Sequence, residues 1–311
     1  MTLLSFRDDF LANADARLAQ LDVAGASETD LLMAGALYKM AAAVGQADIL
    51  GVSLAQAIRP LTGAQLDAWL SEPVNAALLR AALADPAHRL LLATDAAVVA
   101  ALAASPAALA LVTADASVLA ALLALPLLRA GLLASAVGME ALLASATPLA
   151  LLAADATWWA DYTASTALTA TAIPAMTGLT SPSGVAAAST YSSYNADKAM
   201  DKNSSTYWRS ASGNTGNQWL KYTFPEPVHL HTVSLINYAS SYGVEHFRVE
   251  YSDNDSTWQA AMADTTLPMD ATPRDFPLMA PGRHRYWRLY ILDGYSTTYV
   301  QCTEFDLKGW L

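Results

Sequence analysis

Apolar and polar positions follow two different rhythms along this chain. From Asp85 to Ala164 the residues fall into tens: DPAHRLLLAT, DAAVVAALAA, SPAALALVTA, DASVLAALLA, LPLLRAGLLA, SAVGMEALLA, SATPLALLAA, DATWWADYTA. Position one is Asp or Ser in seven of the eight units, position eight is Leu, Val or Tyr, and position ten is Ala in seven. Asp and Ser are good N-caps, because their side-chain oxygens accept bonds from the orphan N–H groups of a first helical turn. Proline directly after the cap suits the first helical position. Positions five, eight and nine share one helical face. Each unit therefore predicts a helix of about two turns followed by a sharp turn, and Pro86, Pro106 and Pro126 exclude one continuous helix. The prolines recur every twenty residues, which predicts a two-helix hairpin as the building block. No unit can bury its apolar face alone, so the units must stack as a helical solenoid. The expected role is a spacer without chemistry.

Upstream, residues 1–84 carry helical but irregular signals. Ser53–Gln56 and Thr62–Gln65 each have capping-box spacing, and residues 29–45 read as a longer helix closing on Gly45. This region is expected to attach the chain to a partner or to its own copies. After Trp159 the rhythm breaks. Residues 165–180 are rich in Thr, Ser, Ala, Gly and Pro without helical period, and read as a linker. Beyond them the period becomes two. QWLKYTF from Gln218, TVSLINY from Thr232, HFRVEYS from His246, RYWRLYI from Arg285 and CTEFDLKGW from Cys302 read as strands separated by turn signals. Several short strands in roughly 130 residues predict a β-sandwich or barrel. Phe247, Val249, Tyr251, Trp287, Leu289 and Phe305 alternate as core-facing strand residues do.

Composition narrows the function. At 311 residues, 54% hydrophobic and 14% charged, the chain has ample apolar surface for more than one domain. A net charge of −11 argues against nucleic acid as a partner. The single cysteine, Cys302, excludes an internal disulfide and reads as a small core residue. Asp8 and Asp9 come before any sizeable apolar run, unlike a secretion signal. Residues 96–114 are free of charge, but their alanine content and the Ser105–Pro106 break argue against membrane insertion.

The stretches ASTYSSYNADKAMDKNSSTYW, NQWLKYTFPEPVHLHTVSLINY, VEHFRVEYSDNDSTWQ, RYWRLYI and CTEFDLKGW stand in one order between residues 181 and 311. In that order they resemble the discoidin, or coagulation factor 5/8 type C, family and related carbohydrate-binding modules. The resemblance implies an eight-stranded, jelly-roll-like sandwich over residues 181–311, following helical regions at 1–84 and 85–164. It also implies a structural Ca²⁺ held by the carbonyls of Lys198 and Asn203, the Asp201 carboxylate, the Thr206 hydroxyl or carbonyl, and the Glu304 carboxylate. Such a set suits calcium, which takes six to eight oxygen ligands. Lys202 departs from the family, which usually has glycine there, and a glycine can serve a positive φ. The alternative is that Asp201 caps a turn and Glu304 pairs with an arginine. By the same resemblance Trp208 and Trp219 are core residues. Loops at one end would hold a sugar, with Arg209, Tyr242 and Tyr295 first, then Tyr191, Tyr194, Asn214 and Tyr299, and Tyr238 on the same loops. Each tyrosine alone also fits simple packing. Discoidin domains that bind membranes expose apolar spikes on these loops; Ser, Asn, Thr and Tyr in their place favour a glycan over lipid.

The alanine-rich tens resemble repeats of bacteriophage tail-fibre and virion proteins. The combined expectation is a non-enzymatic virion fibre or adhesin, assembled in the host cytoplasm. It would be homo-oligomeric, with three copies expected. It would meet other virion proteins through its N-terminal region and a cell-surface glycan through its sandwich. Two alternatives remain: a structural virion protein whose sandwich docks onto another subunit, and a glycoside hydrolase with a sugar-binding appendage. The hydrolase would need two placed carboxylates on a concave scaffold, which the repeats do not offer.

Overall fold

The structure, a computed structural model, describes residues 49–311. The helix expected over residues 29–45, and most of region 1–84, lie outside the described residues. The chain divides into two compact units, Met1–Ala141 and Leu142–Leu311.

The described part of the first unit is helical: α1 (Ile49–Ile58), α2 (Gly63–Leu70), α3 (Pro73–Ala84), α4 (Pro86–Thr94), α5 (Ala96–Ala103), α6 (Pro106–Thr113), α7 (Ala116–Leu123), α8 (Pro126–Ala134) and the first residues of α9 (Ala136–Leu143). Thr62 and Gln65 form the expected capping box at the start of α2. Ser53–Gln56, read as a second capping box, lie inside α1 and not at its start. From α4 onward each ten-residue unit is one helix of eight or nine residues. Asp85, Asp95, Asp115 and Asp155 each accept two backbone N–H bonds at a helix start. The Ser105 hydroxyl accepts from Ala108 N, and the Ser135 hydroxyl from Gly138 N. Each such cap contributes about 1 kcal/mol. The position-eight residues, from Leu92 through Leu152 to Tyr162, are all buried.

The hairpin expected of paired units is not what forms. Helix α4 meets α5 at 96°, and α6 meets α7 at 107°. Helices turning by about a right angle close a superhelical turn every three to four units. Long-range contacts agree: α1 packs on α4, α2 on α6 and α5 on α8. Asp67 accepts from the Ser105 hydroxyl and from Ala107 N, and the Ser135 hydroxyl donates to Ala103 O at 2.6 Å. Arg59 pairs with Asp95 through Nε at 2.8 Å. Close approach between turns is set by small residues. A Cβ on Gly63 would sit 2.2 Å from Ala104 O. Among the described residues no single helix is long and apolar enough to cross a membrane.

The second unit joins two helices, α10 (Ala146–Ala153) and α11 (Ala156–Thr163), to an antiparallel β-sandwich. Its strands are β1 (Ala170–Ala172), β2 (Gly184–Ala187), β3 (Trp208–Arg209), β4 (Gln218–Asn237), β5 (Val244–Ser252), β6 (Gln259–Ala260), β7 (Thr265–Thr266), β8 (Arg274–Pro277), β9 (His284–Gly294) and β10 (Gln301–Trp310). The two strands expected at Gln218 and Thr232 are one. The first half of β4 pairs with β2 and β9 in one layer. It passes the Pro225–Pro227 irregularity, and its second half pairs with β8 and β10 in the other layer. One strand thus stitches both layers around a core that includes Trp208, Phe247, Val249, Trp287, Leu289 and Phe305. Cys302 is fully buried, as expected, and burial pushes its thiol up.

Residues 165–180, read as a linker, belong to this unit. β1 pairs with the end of β10, and Ile173 and Met176 are buried in the sandwich core. The last unit of ten also packs there. Tyr162, its position-eight residue, is fully buried edge-on to Trp310, with ring centroids 5.0 Å apart. His229 Nδ1 faces Gly282 O at 2.9 Å, so it donates, and Nε2 accepts from the Tyr162 hydroxyl at 2.9 Å. A Cβ on Gly309 would meet His229 O at 1.9 Å, so only glycine lets β10 approach β4 this closely. Trp219, expected in the core, is only half-buried. It pairs with Tyr290 on β9, and the Lys221 ammonium lies 5.8 Å from its ring. Strand alternation explains this: Leu220 and Tyr222 take the inward positions.

Candidate functional site

One end of the sandwich gathers tyrosines around a single arginine. Arg209 closes β3, and its neighbours come from the β2–β3 and β9–β10 connections. Its guanidinium carbon lies 4.5 Å from the Tyr194 ring centroid, 5.2 Å from Tyr299, 5.4 Å from Tyr207 and 5.8 Å from Tyr191. The rings also touch each other. Tyr194 stacks on Tyr207 at 4.9 Å, and Tyr207 meets Tyr238 at 4.7 Å. Tyr299 stands edge-on to Tyr191 at 5.1 Å and to Tyr242 at 5.8 Å. Burial, and secondly a hydrogen bond with Tyr194, push the Tyr207 phenol up to about 12. The Tyr207 phenol therefore stays neutral at physiological pH. The rings offer apolar faces with polar tips.

Backbone pairing fixes these loops against one another. Tyr191 N donates to Arg209 O, and Arg209 N donates to Tyr194 O. Gln301 N donates to Tyr242 O at 2.7 Å. Asn237, fully buried at the end of β4, supplies the anchor for the loop carrying Tyr238 and Tyr242. Its amide donates to Val244 O and Pro268 O, and its oxygen accepts from Tyr238 N and Val244 N. The guanidinium itself is aimed by two groups. Nη2 donates to the Tyr207 hydroxyl at 3.1 Å. The amide oxygen of buried Gln301, oriented by its hydrogen-bond geometry, accepts from Nη2 at 2.6 Å and from Nε.

Beside this cluster, residues 198–206 converge on one point. The Thr206 hydroxyl lies 2.8 and 2.9 Å from the two Asp201 oxygens, 2.8 Å from Asn203 O and 3.3 Å from Lys198 O. Glu304 stands over the same loop from β10. Its side chain is buried, and Oε1 has no hydrogen-bond partner. Burial first, and then the neighbouring Asp201 charge, push the Glu304 carboxyl up to about 7. A carboxylate oxygen without a partner, near a second carboxylate and the carbonyls of this loop, is a donor set that could hold a hard cation. Asp201 does cap a turn, accepting from Asn203 N at 3.1 Å. No arginine pairs with Glu304 among the described residues, so that half of the alternative reading fails. Lys198 Nζ, 3.6 Å from Asp201, offsets part of the negative charge. Lys202 holds φ +59°, the left-handed conformation for which the family's glycine is suited, and its ammonium is tied 2.6 Å from Asp306.

Five of the seven residues expected at the ligand end therefore come together: Arg209, Tyr191, Tyr194, Tyr242 and Tyr299. Tyr295 does not join the rings. Its hydroxyl donates to Leu267 O at 3.0 Å, and its surroundings are acidic, with Glu245, Asp270 and Asp293 nearby. Asn214 is exposed on the turn before β4, and no hydrogen bond joins it to Arg209 among the described residues. Tyr238, named with Tyr242 as a residue of these loops, joins the cluster through Tyr207; Tyr207 and Gln301 were not expected in the site. Tyr207 had a signal, since it alternates with Arg209 across the core residue Trp208.

Residues 184–305 match the F5/8 type C domain family. No curated protein is similar in sequence to the chain. Solved structures with a similar fold include the F5/8 type C domain of a Bacteroides fragilis protein, at 20% identity over 41% of this chain and 91% of that one, TM-score 0.36. Another is the family 32 carbohydrate-binding module of NanJ from C. perfringens in complex with galactose, at 16% identity over 45% and 98%, TM-score 0.38. A third is chitosan-binding module 1 of a chitosanase/glucanase from Paenibacillus sp. IK-5, at 21% identity over 40% and 93%, TM-score 0.34. Over residues 184–305, the C-terminal sandwich of this chain is thus similar to F5/8 type C domains.

Proposed function

We propose that the sandwich is a non-catalytic glycan-binding module and that the whole chain is a bacteriophage virion fibre or adhesin carrying it to a cell surface. The observation that carries the glycan reading is the ring of tyrosines fixed around Arg209 on the loop end. Tyrosine rings pack on the apolar face of a pyranose, while phenol and guanidinium groups bond its hydroxyls. The loops are held by backbone pairs and by buried Asn237 and Gln301, so little ordering cost remains at binding.

Calcium is part of the proposal. Lys198 O, Asp201, Asn203 O, Thr206 and Glu304 would hold it, and the ion would supply the charge that buried Glu304 lacks. The same loop leads directly into Tyr207 and Arg209. Removing the ion should therefore weaken glycan binding as well as stability. The repeats serve as a spacer, and their helices are occupied with caps and core. Trimerisation, the other virion proteins as partners through the N-terminal region, and virion localisation rest on the resemblance of the repeats.

The test is a panel of immobilised glycans probed with the full chain, with and without a calcium chelator. The reading expects selective saccharide binding that falls on chelation. Absence of binding to any saccharide, at protein concentrations up to the millimolar range, contradicts it and favours a sandwich that docks onto another protein.

A further inference from the structure

Arg209 is a cation without an anion. Among the described residues no carboxylate lies within ion-pair distance of its guanidinium, although the chain carries 28 Asp and Glu against 17 Lys and Arg. Three other partly buried sandwich arginines behave differently. Arg248 pairs with Glu250 and Asp264, Arg274 with Asp270, and Arg288 with Glu250. A structural arginine in so acidic a protein finds a carboxylate easily. Arg209 is held instead by neutral groups, the Gln301 amide oxygen and the Tyr207 hydroxyl. Both leave its charge uncompensated. They also occupy only Nε and Nη2. Nη1, with two N–H donors, has no hydrogen-bond partner among the described residues.

We propose that this cluster selects acidic glycans, those bearing a uronate or sialate carboxylate, with the carboxylate set on Arg209; this rests on the glycan reading above and narrows it. Four tyrosine rings crowd the guanidinium. Their aromatic walls lower the local dielectric and strengthen an ion pair made inside them. Tyrosine hydroxyls are donors as well as acceptors, so they can bond the same carboxylate or neighbouring hydroxyls. Against this stands the net charge of −11, which repels a polyanion at a distance. Screening decides between the two. At physiological ionic strength charges beyond roughly 8 Å are largely screened, whereas a contact pair at the cluster is not. A charge-assisted guanidinium–carboxylate contact gives roughly tenfold or greater preference over a neutral isostere.

The experiment is isothermal titration of the full chain with matched saccharides that differ only in charge. The probes are trigalacturonate against its methyl ester and sialyllactose against its methyl ester, backed by an array of paired acidic and esterified glycans. The proposal expects the bound set to be acidic, with esterification weakening binding about tenfold or more. In the variant Arg209→Lys, which keeps the charge but loses the planar fork, acidic saccharides should still bind better than their esters, though less tightly than to the native chain. If esters and neutral glycans bind as well as the acids, the acidic selection is wrong while the glycan reading stands. If no glycan of either kind binds, both fall together.

Discussion

At the scale of single residues, the sandwich carries one buried histidine whose chemistry makes a direct prediction. His231 lies under Trp310, with ring centroids 4.4 Å apart, and its Nδ1 bonds the Thr232 hydroxyl. Burial first, and then the neighbouring His229 and Lys308, lower its pKa to about 4, while the Asp275 charge opposes them. A histidine depressed from the usual 6.5 contributes stability that is complete above pH 6.5. That stability is lost as pH falls toward 4, because the unfolded chain binds the proton first. The shift corresponds to about 3 kcal/mol. Thermal unfolding of the native chain should therefore fall steeply between pH 6.5 and 4. The variant His231→Asn should show a flatter profile over the same range. Equal slopes for the two proteins would show that His231 is not the group responsible. None of this is legible in the sequence. HLHTVSL reads as an ordinary strand, and alternation does not reveal that Trp310 and Tyr162 close over both histidines.

At the scale of elements, the tens were readable because each carries its own start signal and its own buried position. Asp or Ser at position one and an apolar residue at position eight are local facts. How the helices then stack is not local. The twenty-residue proline spacing read as a hairpin, yet the turn between units sets bends of 96° and 107°, so neighbours in space are three or four units apart. The building block is thus one ten-residue helix. Deleting residues 115–124 alone should leave mean helicity per residue unchanged, and should be tolerated no worse than deleting residues 115–134. Circular dichroism and melting of both deletions decide this; a greater loss from the single deletion would restore the hairpin. Within one unit, Leu119→Ala removes a fully buried side chain and should cost 2–5 kcal/mol, against about 1 kcal/mol for loss of the cap in Asp115→Ala. The sandwich strands were legible from alternation. β1 was not, since three residues of a Thr- and Ala-rich run give no period.

At the scale of the whole molecule, the division of the chain does not follow the change in composition. Helices α10 and α11 share the amphipathic rhythm of the tens but belong to the second unit. Tyr162, Ile173 and Met176 all lie upstream of residue 181 and are buried against the sandwich. Burying three such side chains is worth on the order of 5 kcal/mol, comparable to the whole stability of a small domain. A fragment of residues 142–311 should melt cooperatively. A fragment of residues 181–311 should melt far lower or bind hydrophobic dye as a loosened core. Equal melting temperatures would mean that the helices and β1 are dispensable. Tests of ligand or cation binding belong on the longer fragment or on the full chain.

The candidate site was partly legible. Tyr191, Tyr194, Arg209, Tyr242 and Tyr299 were readable as loop residues at one end of a sandwich, because family order fixes which loops share an end. Tyr295 was misplaced, since a loop's position does not fix where its side chain turns: its hydroxyl bonds Leu267 O. Gln301, which aims Arg209, sits in a strand that reads as core.

The most direct test of the account is hydrogen–deuterium exchange of the full chain with and without a saccharide that binds it. Binding at the arginine–tyrosine cluster predicts new protection confined to residues 189–194, 207–214, 238–243 and 298–301. Protection elsewhere, on the outer strand faces or along the helical tens, with those loops unchanged, would contradict it.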